Sequence, residues 1–301
     1  MIGTYRIYED GRLINEFNNV VTATGKQIIT RFLAKNNSSW AGAMAVGVGR
    51  TAANAADAAL ECEYARFPVY YSYGFYDGAY KIILKSEMSE SFAGAIEEIG
   101  VYSLLSGGNA FSSEFSLFKS TDDWMLDTVT IGLQSGIADT SVNADSKIKS
   151  GVVGYKVTGN GSLYKDFSSI NFGDYGDTDR FALAYGLATS GTIQVRFEKD
   201  SANYFATANI TTPTSNNGLH TWTKTSMTKT GSLDWSEIKG IRISISNNTG
   251  GVCLDVLRPV VVNHYDNNYG LVSRAVSGAE DSIIKRLGSR FDLEYEVTLN
   301  L

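Results

Sequence analysis

The chain has 301 residues, of which 43% are hydrophobic and 19% charged, so it has enough apolar surface for a core and too little charge for a disordered polymer. Its 26 basic and 32 acidic side chains give a net charge of −6, which argues against nucleic-acid binding because phosphate contacts need clustered lysine and arginine. Short apolar runs argue against membrane insertion, and residues 1–10 lack a signal-peptide pattern, so we expect folding in a cytoplasm.

Strand and helix patterns alternate in the first hundred residues. An Asp-Gly pair at 10–11 separates two apolar runs, which predicts a β-hairpin. Apolar side chains recur at helical spacing within 24–34, which predicts a helix with Thr22 or Thr24 as its N-cap. Further strands are expected at 44–48, 70–75, 80–84 and 96–102.

From about residue 121 onward, glycine, serine, threonine and asparagine become frequent and short strand patterns follow at regular spacing. We predict strands at 152–157, 179–185, 192–198, 241–245 and 252–257. Short strands separated by turn residues are typical of an antiparallel β-sandwich, here a jelly roll of about eight to ten strands over 121–264.

The C-terminal segment has a residue composition and pattern like those of the first hundred residues. Residues 281–287 show a short helical pattern, and 291–299 alternate strictly between apolar and polar side chains, which predicts a strand. A single strand needs a sheet to join. We therefore predict a mainly β protein in which 1–120 plus 265–301 form an α+β docking domain, completed by the C-terminal strand, and 121–264 form an inserted β-sandwich.

The cysteine and histidine content limits the available chemistry. The only cysteines are Cys62 and Cys253, and the only histidines are His220 and His264. A secreted disulfide framework needs more cysteines, and a structural zinc site needs about four Cys or His ligands, which would take every one of these residues. We predict two free, buried thiols, with one long-range disulfide as the alternative.

Three motifs follow one another in the first domain. Residues 19–25 read NVVTATG, residues 44–66 combine MAVGVGRTA with the spacing D-x-x-L-x-x-E-x-x-R, and residues 96–102 read IEEIGVY. In this order they resemble a family of bacteriophage virion proteins, the tail-fibre or collar-type adaptors. That family has a proline where this chain has Ala53.

The resemblance implies a structural protein of the virion, in the tail fibre, collar or baseplate, that is assembled in the host cytoplasm and binds other virion proteins. Because virion fibres are commonly trimeric, it also implies a homotrimer. From the residues themselves, Gly47 and Gly49 permit a sharp turn, and Glu63 and Arg66 can pair if they lie on a helix. We expect these residues to form the fold rather than to contact partners directly.

The inserted region carries two further motifs, DRFALAY at 179–185 and VCLDVL at 252–257. They resemble strands of a carbohydrate-binding jelly roll, in which an aspartate of the last strand binds a structural calcium ion. Calcium takes about six to eight oxygen ligands. The candidate ligands are Asp139, Asp145 and Asp255. A second acidic cluster, at Asp174, Asp177 and Asp179, is either another metal-binding loop or a solvated turn.

This second resemblance implies that the ligand is a host surface glycan. Exposed aromatic rings stack on the apolar faces of sugars, while asparagine, aspartate and arginine bind the hydroxyl groups. The candidate aromatic residues are Tyr164, Tyr175, Tyr204, Trp222 and Trp235. For each of them, packing in the core is the alternative.

Catalytic motifs are lacking. Glu97 and Glu98 are adjacent, so on a strand they point to opposite faces and cannot form the facing carboxylate pair of a glycosidase. No nucleophile elbow, phosphate loop or dinucleotide motif occurs. The sequence favours a non-enzymatic virion protein that displays a β-sandwich for glycan binding. The alternatives are a capsid decoration or neck-associated protein without a ligand, and a glycan-degrading enzyme.

Overall fold

The computed structural model describes residues 2–37, 39–76, 78–103, 124–136, 150–166, 171–177, 179–185, 191–212, 218–260, 270–277 and 282–299. The chain divides into two compact units. The first unit consists of Met1–Phe115 with His264–Leu301, and the second consists of Ser116–Asn263. The fold is mainly β with antiparallel sheets, as the sequence predicted.

The described elements run in the following order. The first unit starts with β1 (Ile2–Glu9), β2 (Arg12–Asn18), β3 (Val20–Val21), α1 (Ala23–Leu33), β4 (Ala43–Gly47), β5 (Glu63–Pro68), β6 (Tyr70–Tyr76), β7 (Ala79–Met88), β8 (Gly94–Ile96) and β9 (Glu98–Tyr102). The second unit contains β10 (Met125–Asp127), β11 (Thr130–Gly136), β12 (Gly151–Thr158), β13 (Gly161–Asp166), β14 (Arg180–Tyr185), β15 (Gly191–Asp200), β16 (Asn203–Ala206), β17 (Ile210–Thr212), β18 (Gly218–Thr223), β19 (Thr228–Thr230), β20 (Gly240–Ser246) and β21 (Val252–Val260). Short 3₁₀ helices lie at Phe172–Asp174, Lys224–Ser226 and Trp235–Glu237. The chain returns to the first unit with β22 (Leu271–Val276), β23 (Ile283–Lys285) and β24 (Phe291–Leu299).

The first sheet of the first unit has the strand order β2-β1-β24-β7-β6. Alternation within β24 turns Phe291, Leu293 and Tyr295 to one face, where each is fully buried. Tyr295 lies opposite Tyr5 of β1, and their ring centroids are 4.6 Å apart. The C-terminal strand therefore completes a sheet formed by the first hundred residues, as its alternation predicted.

The second sheet of the first unit, β3-β22-β9-β4-β5, carries the helix α1. The helix begins after Thr22, whose hydroxyl oxygen accepts a hydrogen bond from the Gly25 amide at 2.8 Å. A Cβ atom on Gly25 would lie 2.1 Å from the Val272 carbonyl oxygen, so only glycine lets the helix approach β22 this closely. The predicted helix and Thr22 cap are confirmed.

One prediction for the first unit was wrong, and another was confirmed with one interruption. The segment predicted to be helical at 281–287 contains β23, which pairs with β8. Buried Lys285 holds it there, because its ammonium group donates to the carbonyl oxygens of Phe92 at 2.8 Å and Ser289 at 2.6 Å. The strand predicted at 96–102 is interrupted at Glu97, which separates β8 from β9.

The second unit is a β-sandwich. One sheet has the order β10-β13-β20-β15-β16-β19 with β17 also paired to β15, and the other has the order β11-β12-β21-β14-β18. The rings of Phe181 on β14 and Phe197 on β15 meet between the sheets at 4.6 Å. The described residues contain more strands than predicted, because β10, β17 and β19 are only three residues long and leave little sequence pattern.

Both cysteines are buried thiols that form no disulfide, as predicted. In the described part of the chain, α1 is the only α-helix, and its 11 residues are too few to span a bilayer.

Candidate functional site

The seven-stranded sheet of the second unit has one apolar face and one polar face. In β15 the side chains of Ile193, Val195 and Phe197 are fully buried toward the sandwich core. The intervening Gln194 and Arg196 point to the opposite side. The polar face is defined by the alternate residues of β13, β20, β15, β16 and β19, which are Ser162, Tyr164, Asp166, Arg242, Ser244, Gln194, Arg196, Glu198, Tyr204, Ala206, Thr228 and Thr230.

Tyr164 lies flat on the polar face. A Cβ atom added to Gly240 on the neighbouring strand would come within 2.3 to 2.6 Å of the Tyr164 ring, so the ring covers this glycine. The Arg242 guanidinium lies 5.1 Å from the ring centroid. Partial burial, together with the carboxylates of Asp166 and Glu198, raises the pKa of Tyr164. The phenol therefore stays neutral at physiological pH and can donate a hydrogen bond.

Tyr204 lies on the same polar face, near the opposite edge of the sheet from Tyr164. The Arg196 guanidinium lies 4.5 Å from its ring centroid, and Arg196 Nε donates to Gln194 Oε1 at 2.8 Å. Tyr164 on β13 and Tyr204 on β16 are three strand spacings of about 4.8 Å apart and two residues apart along the strands, so they are separated by roughly 16 Å. The face thus carries two tyrosine–arginine pairs with polar side chains between them.

Arg242 is held by an acidic partner. Its Nε lies 2.9 Å from Glu198 Oε1 and 3.0 Å from Oε2, and its Nη1 donates to Ser162 Oγ at 3.0 Å. The Glu198 side chain is 3% exposed and that of Arg242 is 29% exposed, so the carboxylate is buried and the guanidinium is partly open to water. The pair fixes the guanidinium next to the Tyr164 ring.

A cleft of about 350 Å³ lies around Tyr204 at this face. This volume is in the range of sites that hold small ligands. Hydroxyl, amide and guanidinium groups of six residues supply its polar lining, together with the Tyr204 phenol: Gln194, Arg196, Thr207, Asn209, Thr228 and Thr230. This combination of an aromatic ring with several hydrogen-bonding groups suits a polyhydroxylated ligand such as a sugar.

The other candidate aromatic residues belong to an aromatic cluster away from the polar face. Tyr175 is 2% exposed and Trp222 is 5% exposed, and both pack against Phe181. Trp235 is partly exposed and stacks on Phe205, with ring centroids 4.2 Å apart. The structure therefore brings Tyr164 and Tyr204 together on one face and places Tyr175, Trp222 and Trp235 in an aromatic cluster elsewhere.

The candidate calcium ligands are only partly described. Asp255 is buried and accepts hydrogen bonds from the Ser150 amide and, at 2.5 Å, from the Ser150 hydroxyl. Asp139 and Asp145 lie outside the described residues. Among the residues that are described, no three or more His, Cys, Asp or Glu side chains cluster as a metal site.

In the second acidic cluster, Asp179 is fully buried and accepts from the Gly176 amide at 2.7 Å. Asp177 is exposed. Asp174 ends a 3₁₀ turn, and its side chain is outside the described set. Asp179 therefore stabilises the turn that precedes β14.

The phage-like motifs of the first unit meet at Glu98. Its carboxylate accepts from the backbone amides of Gly49 at 3.0 Å, Cys62 at 2.7 Å and Glu61 at 2.9 Å, and from Arg274 Nε at 3.0 Å. Burial raises the pKa of Glu98, and the charge of Arg274 opposes this shift. The glycine loop of the second motif is thus fixed by the glutamate of the third.

The neighbouring Glu97 binds Arg50, with Glu97 Oε2 2.8 Å from Arg50 Nε and Oε1 2.5 Å from Arg50 Nη2. Arg66 pairs with Glu63 at 2.5 Å, but on a strand rather than on a helix. Tyr64 is an extra, unpaired residue in β5, a β-bulge, so the alternation of side chains shifts by one residue there. Glu63 and Arg66 therefore lie on the same face. The motif residues therefore bind one another within the unit.

Sequence reasoning missed Arg196, Arg242 and Gln194 as components of the site. The signal was present in the strict alternation of 192–198, which places Gln194 and Arg196 on the side away from the apolar residues. The pairing of β15 with β20, which sets Arg196 opposite Arg242, has no local sequence signal.

A scan against models of known protein families found no match, and a search of curated proteins also found none. Among solved structures, the chain is similar to the family 11 carbohydrate-binding module of the cellulosomal cellulase Lic26A-Cel5E of Clostridium thermocellum. The identity is 14% and the TM-score 0.34, over 48% of this chain and 92% of that one.

Two further solved structures are similar over part of their length. One is the enzymatically active domain of tailspike protein 4 of bacteriophage CBA120, at 13% identity and a TM-score of 0.30, over 52% of this chain and 21% of that one. The other is the CBM22-1–GH10 portion of endo-1,4-beta-D-xylanase 10B of Clostridium thermocellum, complexed with xylohexaose, at 11% identity and a TM-score of 0.28, over 54% and 28%. Values this low do not establish a shared family.

Proposed function

We propose that this protein is a non-enzymatic phage virion component, located in the tail fibre, collar or baseplate, whose β-sandwich binds a glycan of the host surface. The observation that carries the binding role is the polar face, where Tyr204 and Arg196 border a cleft of about 350 Å³. A ring that is held in place and surrounded by hydrogen-bonding groups can stack on a sugar and bind its hydroxyls.

Rigid positioning supports a binding role for this face. Tyr164 lies against Gly240 beside the Arg242–Glu198 ion pair, and Tyr204 lies beside Arg196, which Gln194 holds. Side chains that are already ordered lose little conformational entropy when a ligand binds. The polar face therefore resembles a preorganised binding surface more than an ordinary solvated sheet.

Exposed aromatic side chains on the first unit support a docking role there. Phe75 and Tyr80 lie opposite each other on one face of the sheet, are 62% and 56% exposed, and form an edge-to-face pair at 5.1 Å. Tyr70 is 66% exposed and lies on the opposite face of the same sheet. Strand β6, which carries Tyr70 and Phe75, is at the edge of its sheet. Exposed apolar groups beside an open strand edge are typical of protein contact surfaces. We assign the face that carries Phe75 and Tyr80 to contacts with other virion proteins, in a homotrimeric assembly.

The binding role is tested with a glycan array probed with the full chain and with Tyr204→Ala. We expect the full chain to bind host lipopolysaccharide or capsule fragments and Tyr204→Ala to bind them at least about 10-fold more weakly, because a stacking ring is removed. Tyr70→Ala is the matched control, since its ring is exposed on the first unit. Absence of binding by the full chain to every glycan would refute this function.

The virion assignment needs separate measurements. Immunogold labelling of purified particles should place the protein at the tail, and native mass spectrometry should give the mass of three chains. Glycan fragments released by the purified protein would show an enzyme instead. Labelling of the capsid, together with no glycan binding, would favour the alternative of a capsid decoration protein without a ligand.

A further inference from the structure

Arg196 and Arg242 lie directly opposite each other on β15 and β20, yet their surroundings differ in charge. Two like charges in directly opposed positions of a sheet destabilise it. Glu198 offsets the charge of Arg242 through its ion pair. The uncharged Gln194 side chain accepts the hydrogen bond of Arg196 Nε, and among the described residues no carboxylate lies within ion-pair distance of Arg196.

Among the described residues, no acidic side chain lines the cleft next to Arg196. Of the described residues that line it, Arg196 is the only charged one, and the rest contribute hydroxyl, amide, phenol or methyl groups. The guanidinium has five N–H donors, and Gln194 takes the one on Nε. The terminal nitrogens are the groups that remain for a ligand.

On the basis of the proposed glycan-binding function, we propose that the ligand is a carboxylated glycan, one that contains uronic or sialic acid, and that Arg196 binds its carboxylate. A planar carboxylate matches the paired N–H groups of a guanidinium. The ligand carboxylate then forms an ion pair with Arg196, as Glu198 does with Arg242. Tyr204 contacts the sugar ring that carries the carboxylate.

A charge-assisted hydrogen bond contributes more than a neutral one, so the carboxylate should raise affinity about 10- to 100-fold over the same glycan without charge. The interaction at this partly exposed site is screened by salt. Affinity for the carboxylated glycan should therefore fall as sodium chloride is raised, whereas affinity for a neutral glycan should hardly change.

The test uses the full chain on an array of carboxylated, sulfated and neutral glycans. The strongest carboxylated ligand is then compared by calorimetry with the same oligosaccharide after reduction of its carboxylates to primary alcohols. Arg196→Gln should bind the carboxylated form about 10- to 100-fold more weakly than the unmodified chain and the reduced form equally well. Lys229→Gln removes the same charge from an exposed residue on the opposite side of β19, so its affinities should match those of the unmodified chain.

Each outcome bears on one claim or on both. Equal affinity for the carboxylated and reduced forms overturns the inference and leaves glycan binding intact. Preference for sulfated glycans overturns the choice of carboxylate, even if Arg196→Gln weakens that binding too. Equal loss of both forms in Arg196→Gln shows that Arg196 only holds Tyr204, which also overturns the inference. Absence of any glycan binding refutes both the inference and the proposed function.

Discussion

Replacement of Arg274 by methionine should destabilise the first unit selectively. Arg274 is 2% exposed, donates from Nη1 to Asp57 Oδ2 at 2.8 Å, and places Nη2 2.9 Å from Glu98 Oε2. Methionine fills part of the volume but leaves the buried Glu98 carboxylate without its counter-charge. Removal of one partner from a buried ion pair costs about 3–5 kcal/mol.

Hydrogen exchange followed by mass spectrometry can assign this loss to a unit. In Arg274→Met, peptides from β4, β9 and β24 should exchange roughly 100- to 4000-fold faster, as a loss of about 3–5 kcal/mol requires. Peptides from β15 and β20, in the second unit, should keep their protection. Because the chain has two units, a single melting temperature would not separate these effects.

Arg290 provides the matched control. Its side chain is 50% exposed and pairs with Asp292 at 2.9 Å and Glu87 at 3.2 Å. Surface pairs contribute about 0–1 kcal/mol, so Arg290→Met should exchange almost like the unmodified chain. If Arg274→Met and Arg290→Met gave the same exchange rates, the central role of the Glu98–Arg274 pair would be refuted.

Three further predictions concern other parts of the structure. Gly240→Val should displace the Tyr164 ring and weaken glycan binding about 10-fold, as measured by calorimetry. Circular dichroism should show that β20 stays folded. Unchanged affinity would exclude Tyr164 from the site. Burial raises the pKa of Tyr295 to about 12, so its contribution to stability below pH 10, roughly 2–3 kcal/mol, should be lost between about pH 10 and 12 in alkaline denaturant titrations. Tyr295→Phe should make the total loss smaller by this amount, and Tyr5, whose pKa is also raised by burial, should account for part of the remainder. A loss as large as that of the unmodified chain would contradict this reasoning. If Asp255 binds calcium, a chelator should lower the melting temperature and Asp255→Ala should abolish that effect, whereas an unchanged melt would contradict the calcium hypothesis.

Elements with a strong local pattern could be predicted from the sequence. The alternation of 291–299 and the helical spacing of 24–34 record which side chains face the core, and burial of those faces decides the structure formed. A helix was wrongly predicted at 281–287 because two neighbouring isoleucines fit both a helix face and a short strand. Its strand is selected by distant contacts, above all the bonds of Lys285 to the Phe92 and Ser289 carbonyls.

The components of the site were harder to predict because they depend on pairing between strands. The five candidate aromatic residues share only their residue type, a large aromatic side chain. This property does not distinguish Tyr204, on the polar face, from Tyr175, in the core. Likewise Arg196 and Arg242 have equivalent positions in their strands, and only the position of Glu198 distinguishes them. The charge of a site is therefore a property of the sheet register, which no single segment encodes.

The topology also indicates how an insertion of this size can be accommodated. In the first unit β24 lies between β1 and β7, and Arg274 of β22 binds Glu98 of β9, so segments before and after the insertion depend on each other. The strands of the second unit come from one continuous stretch, Ser116–Asn263, and none of the strands described elsewhere in the chain joins their sheets. The sandwich can thus complete its core before β22 and β24 are made, whereas the first unit cannot. We therefore expect substitutions on the polar face to leave the contacts that join the two ends of the chain unaltered.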